Sequence, residues 1–351
     1  MNEFRNILIV RTDRIGDVVL TTPAVKTLRQ TYPAARISIL VAPATQDLVA
    51  GNPYLSDILV DDRRGAHRGI AGFWRLVTAL RQKKFDLAIV FHTKKRTNFL
   101  CWAAGIPRRT GYKNNKFGFL LNDSLPDERQ WGRQHEAQYC LDVLRHLGIS
   151  GNEIFDKSVV DLVEDLYVPV PADAWAWVER FCQEHHITNE DRLIAIHPGA
   201  SDPAKRWSEK KFSELIDQLA DRYQMKIVLI GAAQITNVAR QIISTVHTSV
   251  FDLTGQTTVG QLAGVLTRCD LLVSNDSGPV HIAAGVKTPC VSIFTRNQPG
   301  INPQRWQPLG KFSRVVSVPA AKSCHQDGSE CSETVPTQAV LEAVDALFKL
   351  C

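Results

Sequence analysis

The 351-residue sequence lacks any apolar run near the ~18–20 residues that are needed to span a bilayer. Its N-terminus has only the short apolar stretch Ile7 to Val10 and no small-residue cleavage site, so a secretory signal peptide is not expected. The eight cysteines are scattered along the chain and do not form a disulfide framework. These absences argue against integral-membrane, secreted and fibrous classes, and we expect a cytoplasmic protein with reduced, buried cysteines.

Metal-binding and dinucleotide-binding motifs are also missing. The sequence contains no HxxxH motif, no DxD-like acidic cluster and no CxxC pair, so we expect no catalytic metal ion. The loop after the first predicted strand does not carry the GxGxxG fingerprint of dinucleotide sites. Cys324, His325 and Cys331 share a polar segment, which leaves open whether the two cysteines pair or bind a metal.

Positive charge is concentrated in the N-terminal half of the chain. Residues 1–170 contain 24 Lys/Arg and 18 Asp/Glu, whereas the remaining residues contain 17 and 18. Residues 63–116 contain 14 basic residues and one acidic residue, Asp86. This favours an anionic partner such as a phosphorylated glycan, an anionic lipid or a nucleic acid, with a merely solvated face as the alternative. Nucleic-acid-binding motifs are missing, so nucleic acid is not an expected partner.

Short apolar segments alternate with helical patterns in both halves, which predicts an α/β protein with two domains built on parallel sheets. The first half has predicted strands at 6–11, 36–41, 57–60 and 86–91 and helices at 17–31 and 72–83. A proline-containing linker at 168–173 precedes a predicted helix at 174–186. The second half has predicted strands at 193–197, 226–231, 271–275 and 289–294 and a helix at 259–269. Ligands bind beyond the carboxyl ends of strands in open α/β sheets, so the loops after these strands are the candidate sites.

The first candidate loop follows the first strand and reads RTDRIGD. Gly16 allows a tight turn, and Asp17 begins the predicted helix. Asp17 can be an N-cap that accepts backbone N–H bonds. It can also be a carboxylate that takes a proton from an acceptor hydroxyl. The residues themselves leave both interpretations open.

The loop HPGASDPAKRW follows the first strand of the second half. A turn at Gly199 exposes backbone N–H groups, and Lys205 and Arg206 add positive charge, which suits phosphate binding. The alternative is an ordinary solvated Lys-Arg pair.

The segment SNDSGPVHIAA is the most specific of the loops. Pro279 is predicted at the first position of a helix, whose N-terminus suits a diphosphate. Ser277 and Gly278 let a ligand approach the backbone closely, and Asp276 can bind a sugar hydroxyl or orient a cation. His281 either contacts the ligand or simply caps and packs the helix.

Three segments together resemble a known family: RTDRIGDVVLTTPAVKTLRQTYP, HPGASDPAKRW and SNDSGPVHIAAGVKTPCVSIF. They are similar to glycosyltransferase family 9, the lipopolysaccharide heptosyltransferases, in the same order along the chain. The resemblance implies the GT-B fold, in which two Rossmann-like domains face each other across a cleft. It implies an acceptor-binding domain at 1–167, a donor-binding domain at 174–335 and a C-terminal helix at 336–351 that packs back toward the N-terminal domain.

The resemblance also implies a mechanism, namely inverting, metal-independent transfer of heptose from ADP-L-glycero-D-manno-heptose to the inner core of lipopolysaccharide. Asp17 matches the family's proposed catalytic base, and Lys205 and Asp276 match donor-binding positions. No cofactor is implied beyond the donor substrate. Two segments depart from the family pattern. GAAQIT lacks the acidic residue that often holds the ribose, and TRNQP is more basic than the usual turn beside the sugar.

The basic segment then becomes a candidate acceptor surface. Residues expected to hold the carboxylates and phosphates of an inner-core acceptor are Arg14, Arg64, His92, Lys94, Lys95, Arg96 and Lys113. Peripheral attachment at the inner face of the inner membrane is a further expectation, because each cation near anionic lipid contributes about 1 kcal/mol. Two alternatives stay open: a family-9 transferase with another nucleotide sugar or acceptor, and a non-catalytic protein that binds anionic glycans.

Overall fold

A computed structural model describes residues 4–319 and 335–350. The chain divides into two units between Tyr167 and Val168, beside the segment whose prolines indicate a linker. Each unit contains one six-stranded sheet, and every strand pairing in the described residues is parallel. The strand orders are β3-β2-β1-β4-β5-β6 and β9-β8-β7-β10-β11-β12. Both are the doubly wound order 3-2-1-4-5-6, which confirms the predicted α/β class.

The first unit follows the predicted alternation of strands and helices. Its strands are β1 (Asn6–Val10), β2 (Arg36–Val41), β3 (Asp57–Val60), β4 (Leu87–Val90), β5 (Arg108–Lys113) and β6 (Asp123–Pro126). Its helices are α1 (Ile15–Val19), α2 (Thr22–Thr31), α3 (Gly69–Gln82), α4 (Lys95–Ala103) and α5 (Glu136–His146). Strands β1, β2 and β4 are almost entirely buried, since helices of an α/β unit cover both faces of a parallel sheet.

The second unit repeats the arrangement. Its strands are β7 (Leu193–His197), β8 (Lys226–Leu229), β9 (Val250–Asp252), β10 (Leu271–Asn275), β11 (Cys290–Phe294) and β12 (Ser313–Ser317). Its helices are α6 (Ala172–Glu184), α7 (Glu209–Tyr223), α8 (Thr236–Thr245), α9 (Val259–Arg268), α10 (Gly278–Gly285), α11 (Pro303–Trp306) and α12 (Thr337–Phe348). The predicted strands 193–197 and 271–275 are reproduced residue for residue.

The single helix predicted at 17–31 is wrong, because the structure has two helices there. The break follows from Pro23, which has no N–H and would clash with the carbonyl of Val19 in a continuous helix. The Thr22 hydroxyl donates instead to the Val19 carbonyl at 2.7 Å, and the Thr21 hydroxyl donates to the Asp17 carbonyl at 2.8 Å. The Thr22 hydroxyl thus satisfies the Val19 carbonyl, which Pro23 leaves without a helical N–H partner, and the Thr21 hydroxyl satisfies a carbonyl near the end of the first helix.

The C-terminal helix contributes its apolar face to the core of the second unit. That it also packs back toward the N-terminal domain stays a prediction. Val340, Leu341, Val344 and Leu347 are buried with residues of α7 and the second sheet. Their spacing places them on one side of the helix, so burying them there satisfies its apolar stripe. Within the part of the chain that the structure describes, no helix is long and apolar enough to cross a membrane.

Candidate active site

Each sheet has one point where the strand order reverses, and the candidate loops lie there. In the first unit, β1 and β4 are neighbours, and their carboxyl ends lead into Arg11–Asp13 and into Phe91–Lys94. In the second unit, β7 and β10 are neighbours and lead into His197–Gly199 and Asn275–Ser277. Ligands of doubly wound sheets bind beside such reversal points.

In the first unit, Arg11 binds three carboxylates. Its Nη2 atom donates to Asp17 Oδ1 at 2.6 Å and to Glu136 Oε1 at 2.8 Å, and its Nε atom lies 3.2 Å from Asp13 Oδ1. Nη1 donates to the Phe91 carbonyl at 2.9 Å, which ties the guanidinium to the end of β4. Arg11 is 1% exposed. Burial alone would lower its pKa, but Asp13 and Asp17 outweigh that effect and raise it, so Arg11 stays charged.

Asp17 is not the N-cap of its helix. The N-cap of α1 is Arg14, which makes no side-chain capping bond, and Asp17 lies in the first turn with its carboxylate on Arg11. Burial, together with the charges of Asp13 and Glu136, raises the pKa of Asp17 to about 6 against the lowering effect of Arg11. A carboxyl group whose pKa is close to the working pH is suited to general-base chemistry.

His92 and Lys94 follow β4 beside this cluster. His92 Nε2 lies 3.4 Å from the Thr12 hydroxyl and 3.3 Å from the Thr97 hydroxyl. Burial lowers the pKa of His92 to about 3, so the ring is neutral near pH 7 and offers an anionic acceptor no charge. The Lys94 ammonium donates to the Thr12 carbonyl at 3.2 Å. Burial lowers the pKa of Lys94, which the charge of Asp13 partly offsets.

Arg96 is engaged inside the first unit. Its guanidinium makes a two-point contact with the buried carboxylate of Asp61, at 2.9 and 2.8 Å, and donates to the His67 carbonyl at 3.2 Å. Arg63 donates to the same carboxylate through Nε and to the Thr12 hydroxyl through Nη2, each at 2.9 Å. Burial opposes the charge of Asp61, but Arg96 and Arg63 outweigh it and lower its pKa. Arg96 therefore anchors the loop between β3 and α3.

The other predicted acceptor residues are on the surface. Arg14, Arg64, Lys95 and Lys113 are exposed, and the Lys95 ammonium lies 5.7 Å from the centre of the Phe117 ring. The structure brings Arg14 next to Asp17 along α1, where its charge lowers the pKa of that carboxyl. Their role in acceptor binding stays a prediction.

In the second unit, Asn275 joins the two candidate loops. Its Nδ2 atom donates to the Pro198 carbonyl at 2.7 Å, and its Oδ1 atom accepts from the Trp207 N–H at 3.0 Å. Gly199 is required at the turn, because a Cβ there would lie 2.9 Å from Ile235 Cγ2. The Ser277 hydroxyl lies 3.0 Å from His197 Nδ1, which belongs to the strand that precedes the turn.

Lys205 forms an ion pair with Asp276, which brings together two predicted donor residues that are 71 positions apart. Both are largely buried, with side-chain exposures of 14% and 7%. The neighbouring Arg206 donates to the Ala200 carbonyl at 3.3 and 3.2 Å, and so braces the loop. An ion pair of this kind holds the ammonium in one position.

The segment 276–281 leads from β10 into α10. Ser277 is the N-cap in an extended conformation, and Gly278 is the first helical residue, so Pro279 is at the second position and not the first. His281 is buried in the first turn. The helix N-terminus adds a partial positive charge to the end of the sheet where Lys205 lies.

The two departures from the family pattern have local causes. Gly231 has φ +154, and a Cβ there would lie 2.2 Å from Ile235 Cδ1, so this loop packs closely without an acidic side chain. Arg296 of the TRNQP segment forms an ion pair with Asp202 at 2.8 Å, and Asp202 itself accepts from the Ala204 N–H at 3.1 Å. Arg296, which gives that segment its extra positive charge, thus stabilises the loop that carries Lys205 through its ion pair with Asp202.

Among the described residues, no three His, Cys, Asp or Glu side chains are grouped to hold a metal ion. Cys324, His325 and Cys331 lie outside the described residues. The described cysteines are free, and burial raises the pKa of Cys101 and of Cys269 to about 12, as expected for inert core thiols.

Sequence reasoning missed Arg11 and Glu136. An arginine directly after a buried strand was a usable signal, since a charge there needs buried partners. Glu136 lies 125 positions away from Arg11 and carries no local signal. It is placed by a capping box at the start of α5, in which His135 Nδ1 accepts from the Ala137 N–H and Gln138 accepts from the His135 N–H.

Comparison with known proteins decides the family. The family model described as glycosyltransferase family 9 (heptosyltransferase) matches residues 73–335. The chain belongs to this family. It is therefore a glycosyltransferase, and the two sheets described above are those of the GT-B fold.

Individual relatives cover almost the whole chain. The sequence is 27% identical to lipopolysaccharide heptosyltransferase 2 of Escherichia coli (strain K12), with 97% of this chain and 98% of that protein covered. The solved glycosyl transferase family 9 structure from Veillonella parvula DSM 2008 has a TM-score of 0.85 at 24% identity and covers 99% of this chain and 98% of its own. The E. coli ADP-heptose lps heptosyltransferase II structure has a TM-score of 0.75 at 24% identity, with coverages of 97% and 98%.

Proposed function

We propose that this family-9 transferase moves heptose from ADP-L-glycero-D-manno-heptose to the inner core of lipopolysaccharide, with inversion and without a metal ion. The observation that carries the proposal is the buried Asp17 carboxylate, which Arg11 orients and whose pKa is raised to about 6. The names of the relatives support the proposed substrates, since they include ADP-heptose and lipopolysaccharide.

The proposed reaction is a one-step displacement. The acceptor hydroxyl oxygen forms a bond to the anomeric carbon of the heptose while the bond from that carbon to the diphosphate breaks. Asp17 takes the hydroxyl proton, and ADP leaves with the electron pair of the broken bond. Attack opposite the leaving group inverts the anomeric carbon, and general-base assistance typically contributes about 10²–10⁴-fold in rate.

The second unit is proposed to bind the donor. Lys205, Arg206 and the N-terminus of α10 supply positive charge for the diphosphate, which gains negative charge as ADP leaves. Asp276 holds the Lys205 ammonium at its position, and we propose that it also binds a sugar hydroxyl of the donor. In this proposal, fixed protein cations do the electrostatic work that a metal ion does in other transferases.

The first unit is proposed to bind the anionic acceptor. Arg64, Lys95 and Lys113 are exposed cations of the basic segment, and Arg14 is an exposed cation of the loop after β1. Their charge also favours peripheral attachment to the anionic inner face of the inner membrane.

A transfer assay tests the proposal. The purified protein is incubated with a soluble inner-core acceptor and with ADP-heptose, GDP-mannose or UDP-glucose, in the presence and absence of EDTA. We expect release of nucleoside diphosphate from ADP-heptose alone, an inverted linkage in the product by NMR and no effect of EDTA. Preference for GDP-mannose or UDP-glucose would favour a family-9 transferase with another nucleotide sugar. No transfer with any of the three donors would favour a non-catalytic protein that binds anionic glycans.

A further inference from the structure

Six aromatic side chains of the first unit form one connected group that reaches the surface. Phe73 contacts Trp74 at 5.8 Å between ring centres and stacks on Phe99 at 5.5 Å. Phe99 in turn contacts Trp102 at 5.5 Å and Phe117 at 6.5 Å, and Phe117 contacts Phe119 at 5.8 Å. We call Ile70, Trp74, Trp102, Phe117 and Phe119 the aromatic patch.

The patch is strongly exposed. Ile70 is 80% exposed, Phe119 74%, Trp102 48% and Trp74 47%. Ile70 and Trp74 are four residues apart, so they lie on the same side of α3, beside its buried face. Contiguous exposed apolar surface of this kind marks an interaction site.

The charge around the patch identifies its partner. Arg68, Lys95, Lys113 and Lys116 are exposed cations in the same segments, and Lys95 lies against the Phe117 ring at 5.7 Å. Asp86 is the single acid within 63–116 and lies directly before β4, where its carboxylate accepts from the Arg5 and Asn6 N–H groups at 2.8 and 3.1 Å. Protein surfaces that lie at the boundary between lipid headgroups and acyl chains are rich in exposed Trp and Phe side chains flanked by Lys and Arg.

We propose that the aromatic patch is the surface by which this protein docks on an anionic lipid bilayer. Trp74, Trp102 and Phe119 enter the interfacial layer, and the flanking cations contact anionic headgroups. The inference rests on the membrane attachment included in the proposed function and names the residues that carry it.

Vesicle binding tests the surface. The full-length protein is mixed with phosphatidylglycerol–phosphatidylcholine vesicles or with pure phosphatidylcholine vesicles and sedimented. A triple variant, Ile70→Ser with Trp74→Ser and Phe119→Ser, is compared with Trp175→Ser, which removes a 37% exposed tryptophan of the second unit. We expect binding to the anionic vesicles only, weakened more than about tenfold by the triple variant and by high salt, and unchanged by Trp175→Ser.

Transfer to the soluble acceptor and the melting temperature are measured on the same samples, which separates this inference from the proposed function. A folded triple variant with normal transfer but lost vesicle binding supports the docking surface. Equal vesicle binding by the triple variant and the wild type would overturn it. A wild-type dimer that the triple variant converts to monomers, with no vesicle binding, would also overturn it, because the patch would then join two copies of the chain.

Discussion

Arg11 holds Asp17 with one short contact, 2.6 Å between Nη2 and Oδ1, in a site from which water is largely excluded. The same guanidinium also neutralises Glu136 and Asp13. The Arg11 guanidinium is thus shared among three carboxylates. Burial, together with the negative charges of Asp13 and Glu136, raises the pKa of Asp17 to about 6 although Arg11 is paired with it.

The pH dependence of kcat/KM follows from this arrangement. The base acts in its deprotonated form, so activity should fall about tenfold per pH unit below pH 6, the pKa of Asp17. Asp13→Asn removes a negative neighbour that raises this pKa and should move the acidic limb to lower pH. Glu128→Gln, which changes an exposed carboxylate of the same unit, should leave it in place. If the acidic limb of the pH profile stays at the same pH in Asp13→Asn, the group that produces this limb is not Asp17.

The loops after β1, β7 and β10 could be located from sequence because a buried strand followed by small or charged residues is a local pattern. The role of Asp17 within its loop could not, because an N-cap and a charge partner of Arg11 look alike in sequence. The partner Glu136 arrives from a distant helix, and such long-range pairing has no local signal. Pro23 could have indicated the helix break from the sequence. The apolar periodicity of residues 17–31 instead favoured one continuous helix.

The Lys205–Asp276 pair gives a donor-binding prediction. Lys205→Ala should weaken ADP binding at least about tenfold by calorimetry, since a charge-assisted phosphate contact is worth about 1.5–3 kcal/mol. Acceptor binding should stay nearly intact. Lys226→Ala is the matched control, because Lys226 pairs with Asp191 at the opposite, amino-terminal end of the second sheet. Equal ADP affinity for Lys205→Ala and the wild type would remove Lys205 from the donor site.

Asp61 should contribute to stability and not to chemistry. Asp61→Asn leaves Arg96 and Arg63 without their charged partner and should lower the free energy of unfolding by about 1–3 kcal/mol near pH 7. The folded-state pKa of Asp61 lies below the usual value, so the contribution is present above about pH 4 and is lost as the pH falls through the folded pKa. Urea unfolding of both proteins between pH 3 and pH 7 checks this. A difference that grows toward low pH would contradict it.

The half-buried Lys94 before α4 and the exposed Lys95 at its first position should affect acceptor affinity. Lys94→Gln with Lys95→Gln should raise KM for a phosphorylated or Kdo-bearing acceptor, and the effect should shrink at high salt because exposed charges are screened over about 8–10 Å. Lys210→Gln, an exposed lysine of the second unit, is the control. A KM that is insensitive to both the substitutions and salt would make these residues ordinary solvated surface.

The central claim is that Asp17 is the general base, and Asp17→Asn tests it most directly. The amide keeps the size of the side chain but cannot take a proton, so turnover should fall by about 10²–10⁴-fold while the melting temperature and ADP affinity change little. Asp165→Asn is the control, because it removes a buried carboxylate that pairs with Lys26 and Lys157. It should lower the melting temperature and leave turnover near normal. Near-wild-type turnover of Asp17→Asn would contradict the account.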